Sequence, residues 1–322
     1  MTPVRTLALL TASAFAGTAA AAAPWPAQPV TIVVPFPPGG GTDIVARLLA
    51  NKLQPALGQA VLVENRPGAA TAIGARAVAA AKPDGYTLLL SGSSTYAVVP
   101  ALRSDLPYDP LKSFAPIAIV ADAPLALLVS NQSGIKSVPE LVKTFQSDPQ
   151  KGMYATFGSG SAPHLAGAMF AETLKVSLTP VPYRGSGPAM TALMGGEVPL
   201  SFDTIAASAP QARAGSVRAL AVTGDRPSPS LPGVPTYAEL GIGDASMVGW
   251  YALAAPAGTP APVLDAIYAA VKTAMEDPQV KESFVTNGLD PVLVDAEGFR
   301  ERMERELKQF AEVARRSNIT ME

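Results

Sequence analysis

TIVVPFPPGGGTDIVARLLANKL, residues 31–53, decides the fold. A β-branched run, Val30–Val34, is suited to a strand buried on both faces. It halts at three prolines and three glycines, and Ile44, Val45, Leu48, Leu49 and Leu53 then fall on one helical stripe. A simple turn needs one or two such punctuating residues, so this loop is built for more than turning. The same plan recurs in YATFGSGSAPHLAGAMFAETL, residues 154–174: strand, glycine-serine loop, helix. In an open α/β sheet, ligands sit beyond the carboxyl ends of the strands, where such loops lie. A helix N-terminus has unpaired N–H groups and a partial positive charge. Glycine lets that backbone approach an oxyanion, and proline fixes the loop beforehand. Two such loops in two domains would face one cleft. Thr42 is expected as the N-cap. Asp43, in the first turn, would repel a carboxylate and is read as a brace for the loop. A tight strand-to-helix turn is the plain alternative, and the echo favours anion binding over it.

Nucleotide motifs fail on spacing. No GxxxxGK[ST] is present, and GxGxxG would need a glycine where Ile44 stands.

Outward from the loop, strand and helix alternate. Val61–Glu64 and Tyr86–Leu90 are expected as strands, with an Ala-rich helix over 69–81 between them. This βαβα order implies a parallel sheet with helices on both faces. The apolar segment 117–129, broken only by Asp122 and Pro124, reads as two short strands meeting at a crossing between domains. Alternation resumes with strands at 152–157, 178–183, 200–202 and 217–222, and helices at 162–174, 187–194 and 205–214. WYALAAP, 250–256, suits a second crossing. Phe299, Met303, Leu307 and Phe310 then mark an amphipathic strut expected to pack on the first domain.

The 322 residues suffice for two domains, with 48% hydrophobic and 16% charged residues and a net charge of −2. Without clustered Lys and Arg, nucleic acid is excluded as a partner. Arg5, the apolar stretch 6–16 and the alanines at 19–23 are ordered as in an export signal, with cleavage expected near Ala22. No cysteine is present, which removes thiolate catalysis and most structural zinc sites. No cofactor and no metal are expected.

PFPPGGGTD, ENRPGA (64–69), KPDGYTLL (82–89), VPYRGSGPAM (181–190), RALAVT (218–223), VPT (234–236) and PAGTP (256–260) occur in that order. Together they resemble the exported substrate-binding receptors of tripartite tricarboxylate transporters, the Bordetella uptake gene family, from about residue 26 to the C-terminus. The resemblance implies an α/β periplasmic-binding-protein fold of the Venus flytrap type, with two crossing strands between its domains. Residues 1–22 would be the signal peptide, 23–123 with 253–322 the first domain and 124–252 the second. It further implies that the first loop grips a carboxylate largely through backbone amides and ordered waters. That points to Phe36, Gly40, Gly41, Thr42 and Asp43, with Ser91 and Thr95 on the first domain's wall. From the second domain it points to Ser159, Ser161, His164, Arg184, Gly185, Ser186, Asp203 and Thr204, while Tyr183 and Phe36, which flank predicted cleft loops, are candidates for an apolar wall.

Plainer roles stand beside these. His164, the single histidine, lies on one segment with Ser161 and cannot form a triad with it, and no GxSxG is present. It is a ligand contact, a helix cap or a partly buried histidine. Arg184 either pairs with a ligand carboxylate or lies on the rim and binds a neighbouring acidic side chain. Asp203 receives a ligand amine or hydroxyl, or bonds local backbone, and Trp250 is read as core. The expected function is a non-enzymatic, monomeric periplasmic receptor that hands a small carboxylate to membrane transport subunits. A ligand sensor for a periplasmic kinase and a periplasmic enzyme are the alternatives.

Overall fold

The computed structural model describes residues 25–158 and 160–319; the expected export signal and Ser159 lie outside them. Strand β1 (Val30–Val34) is buried at every position but Thr31. It pairs in parallel with β2 (Val61–Asn65) and β3 (Thr87–Gly92). Helices α1 (Gly41–Leu57) and α2 (Ala72–Ala79) connect them. Val45, Leu49 and Leu53 of the predicted stripe pack under the sheet with Val30, Ile32 and Leu88. After β3 a single π-turn (Ser94–Val98) runs into the short α3 (Val99–Leu102).

Strand β4 (Phe114–Ser130) is one continuous strand of 17 residues, where the sequence pattern suggested two. Its partners change midway. Phe114–Pro124 pair with β9 (Val248–Pro256), and Leu125–Val129 pair with β7 (Leu200–Thr204). Pro124 therefore falls where the partner changes, a place where a missing N–H costs the ladder little. The other half of the molecule hangs on the end of β4. It contains α4 (Val138–Ser147), β5 (Met153–Thr156), α5 (Ala162–Leu174), β6 (Thr179–Pro182), α6 (Ser186–Gly195), α7 (Ile205–Arg213) and β8 (Val217–Val222). The chain returns through β9 to α8 (Ala261–Glu276), α9 (Pro278–Thr286), β10 (Asp290–Val294) and α10 (Ala296–Arg316). The sheet order is β2-β1-β3-β9-β4-β7-β5-β6, with β8 and β10 also paired to β4. This is a two-lobed α/β fold joined through β4 and β9.

Alternation along β4 divides the second lobe's core. Leu125, Leu127 and Val129 face one cluster with Tyr154, Phe170 and Phe202, while Ala126 and Leu128 face another with Leu193 and Val222. Helix α10 reaches further than a first-lobe strut. Phe299 and Met303 join Tyr96 and Trp250 in the first lobe, whereas Phe310, Val313 and Ala314 join the second lobe's core. Between these halves, Arg302 donates to Asp122 at 2.6 Å on β4, to the Val248 carbonyl at 3.4 Å on β9, and to Glu306 at 2.8 Å. Glu306 in turn accepts from Trp250 Nε1 at 2.7 Å, so one helix holds both crossing strands.

Candidate functional site

The first loop is braced from behind. Asp43 Oδ2 accepts from the Gly39 N–H and from Arg47 Nε, both at 2.9 Å, and its Oδ1 accepts from Asn65 Nδ2 at 3.0 Å. Asn65 also donates to the Phe36 carbonyl at 3.1 Å, which ties the β2 end to the loop. Burial raises the Asp43 pKa, but the bonds from Arg47, Gly39 and Asn65 outweigh it and hold the carboxyl below its ordinary value. Asp43 is thus a spent, ionised brace. Gly40, in extended backbone, is the residue before the helix and supplies no capping side chain. Thr42, expected as the cap, instead stands inside the first turn, buried, with its hydroxyl beside the Tyr251 phenol. The N–H groups of the first turn face an end left open, with Pro37, Pro38, Gly39 and Gly40 exposed before it.

The second loop repeats this device with different parts. Ser161 precedes α5, but its Oγ donates to the Gly158 carbonyl at 2.8 Å and accepts from the Phe157 N–H at 3.3 Å, so it shapes the loop and leaves the helix uncapped. His164 Nδ1 accepts from the Gly160 N–H at 3.1 Å. The ring is only 9% exposed, and burial lowers its pKa. It is a neutral ring carrying its proton on Nε2, and it works as a brace for the loop.

Two more helices start nearby. Gly185, at φ 103°, precedes α6 and leaves it without a side-chain cap. Ser186 Oγ donates to Asp203 Oδ2 at 2.8 Å, and the Thr204 N–H donates to Asp203 Oδ1 at 2.7 Å. Asp203 is fully buried, and burial pushes its pKa up to about 6 against those bonds. Its oxygens are occupied within its own lobe, by the Ser186 hydroxyl and the Thr204 N–H. Thr204 caps α7, its Oγ1 accepting from the Ala207 N–H at 3.4 Å. Arg184 is exposed and, among the described residues, makes no ion pair, so the acidic neighbour expected of a rim arginine is not found. Tyr183 is half-buried on the second lobe's core and Phe36 on the first. Ser91 and Thr95 do not form an exposed wall. Their hydroxyls bond each other at 2.5 Å, and both residues are 0% exposed.

Topology brings these parts together. The end of β3, Gly92, lies opposite Tyr251 of β9, which lies opposite Ala121 of β4. Four residues along β4, Leu125 lies opposite Thr204 at the end of β7. The carboxyl ends of both parallel sheets therefore converge on the crossover from opposite sides. The hollow of about 360 Å³ lined by Asp122, Arg226, Asp290, Arg302 and Glu306 is a different place, on the α10 side, and none of the loop residues border it. Asn65, Arg47 and Tyr251 belong to the site's framework and were missed from sequence. Asn65 lay within the quoted ENRPGA, while nothing in the pattern around Tyr251 marked it.

The tripartite tricarboxylate transporter family receptor matches residues 45–319. The protein BugT of Bordetella pertussis is 36% identical over 313 residues, covering 95% of this chain and 96% of its own. Among solved structures, the periplasmic binding protein BugD superposes with a TM-score of 0.80 at 35% identity, over 92% of this chain and 100% of that one. R. palustris Rpa4515 with adipate gives 0.83 at 32%, over 92% and 99%. MatC (Rpa3494) from Rhodopseudomonas palustris, with bound malate, gives 0.77 at 32%, over 90% and 99%. These relatives are binding proteins rather than enzymes.

Proposed function

The chain belongs to the tripartite tricarboxylate transporter receptor family, and on that premise we propose that it is a periplasmic receptor for a small carboxylate, which it delivers to membrane transport subunits. The carrying observation is the α1 N-terminus: an uncapped helix end whose loop is fixed by Asp43 and Asn65 before any ligand arrives. A carboxylate placed there meets several N–H donors and the positive end of a helix dipole, at little cost in ordering. Gly40, Gly41 and Thr42 make this grip. The facing half of the site is Ser161, Gly185, Ser186 and Thr204, at the starts of α5, α6 and α7. Arg184 guards the rim, and Phe36 and Tyr183 supply apolar cover. The lobes divide at 123/124 and 252/253, and closure about β4 and β9 encloses the ligand. The adipate and malate of two structural relatives support this ligand class.

A thermal-shift and calorimetric screen of the exported protein against mono-, di- and tricarboxylates tests the proposal. Gly40→Val is the informative variant, because a Cβ on Gly40 meets nothing within 4 Å and its φ is ordinary. Its fold is expected to survive while its affinity is lost. An unchanged affinity in the folded variant would remove the backbone-anion site.

A further inference from the structure

Tyr251 stands on the crossing strand β9, three residues past its first residue, Val248. Two glycines make its seat. A Cβ on Gly41 would lie 2.7 Å from the Tyr251 Oη, and a Cβ on Gly92 would lie 3.1 Å from its Cδ1. The ring is therefore slotted between the first residue of α1 and the last residue of β3, with its hydroxyl at the uncapped helix end and beside the Thr42 hydroxyl. Among the described residues, no hydrogen bond of ordinary geometry uses the Tyr251 hydroxyl as donor. Two hydroxyls side by side carry two hydrogens, and a bond between them uses only one. One hydroxyl hydrogen is left over, next to first-turn N–H groups that also lack a side-chain acceptor.

From this arrangement we infer that Tyr251 is a specificity-determining residue, its phenol O–H donating to the carboxylate oxygen held at the α1 N-terminus. The inference rests on the carboxylate reading of the site. Burial raises the Tyr251 pKa, with Thr42 opposing it, so the phenol keeps its proton at neutral pH. A phenol that donates here favours a carboxylate over its amide. The carboxylate offers lone pairs on both oxygens, whereas an amide turned with its NH₂ toward the phenol proton offers none. The position on β9 adds a second consequence. A ligand oxygen bonded to Tyr251 is bonded to the hinge as well as to the first lobe, so the contact reports on closure.

The test uses calorimetry with adipate and malate, and with their diamides, on the wild type, Tyr251→Phe and Thr42→Val. A hydrogen bond to a charged group is worth on the order of 10- to 100-fold in affinity. Tyr251→Phe is expected to lose that factor for the better-bound acid and much less for its diamide, narrowing the acid-to-amide ratio. A packing role alone would weaken both ligands together and leave the ratio unchanged. Thr42→Val, which removes the neighbouring hydroxyl with little change of shape, is expected to give a smaller loss that does not add to that of Tyr251→Phe. Tyr251→Phe with full acid affinity, alongside a Gly40→Val that has lost it, would overturn the inference and leave the carboxylate site standing. Failure of the wild type to bind any acid of the mono-, di- and tricarboxylate screen would overturn both.

Discussion

Replacing Asp203 with Asn is expected to stabilise the protein at neutral pH. Its carboxylate is fully buried, with Ser186 and Thr204 as its donors and no cationic partner among the described residues. Displacement of its pKa from 3.8 to about 6 means that ionised Asp203 costs roughly 3 kcal/mol in the folded state at neutral pH. The sign follows from proton uptake. Between 3.8 and about 6 the folded chain holds a proton that the unfolded chain has lost. Stability therefore falls as pH rises through that window, and the full cost stands above it. Asparagine keeps an acceptor for Ser186 and Thr204 but brings an NH₂ group that is imperfectly met, which returns about 1 kcal/mol. The net gain is about 2 kcal/mol at pH 7.5, or roughly 4–8 °C in Tm at the sensitivity typical of domains of this size. Thermal unfolding of both proteins at pH 7.5 and pH 4.5 reads this directly. The gain should vanish at pH 4.5, where wild-type Asp203 is protonated. A variant destabilised at pH 7.5, or shifted equally at both pH values, would refute the reasoning.

Other outcomes follow from the same contacts. Asp43→Ala should lower stability by about 2 kcal/mol by leaving Asn65 and the Gly39 N–H without their acceptor, and should weaken ligand binding through a loosened loop; unchanged calorimetry would contradict the bracing role. His164 has a lowered pKa, so below about pH 6.5 the unfolded chain takes up a proton that the folded chain resists, and stability falls with acidity. His164→Gln, whose amide oxygen can accept from Gly160, should flatten that part of the pH profile. Arg302→Met should cost about 3 kcal/mol by stranding Asp122 and Glu306, and small-angle scattering should show altered lobe opening although the residue touches no cleft loop.

The lobes and their loops were legible because each announced itself locally. Val30–Val34 is β-branched throughout, and the stripe through Val45, Leu49 and Leu53 has helical period, so β1 and α1 formed where expected. Asp43 was read as a brace from charge alone, because a carboxylate beside an anion site must face elsewhere. Thr42 misled because the cap preference of threonine is statistical, and here Gly40 already occupied the cap while the Thr42 side chain is buried in the first turn. The continuity of β4 was hidden by Pro124, whose place between two partners exists only once the sheet has formed. Helix α4 was overlooked although Ser137 and Glu140 cap it reciprocally, the Ser137 Oγ accepting from the Glu140 N–H and the Glu140 carboxylate accepting from the Lys136 N–H. Contacts between distant segments, such as Tyr251 against Gly41 or Arg302 across both crossing strands, leave no periodic trace and emerge only from the fold.

Amide nuclear magnetic resonance during titration with a carboxylate observes individually the backbone amides at the start of α1. The Gly40, Gly41 and Thr42 amide protons are expected to shift strongly on saturation, whereas that of Gly39, already bonded to Asp43, moves little. A carboxylate that binds while those three amides stay unmoved would contradict the backbone grip.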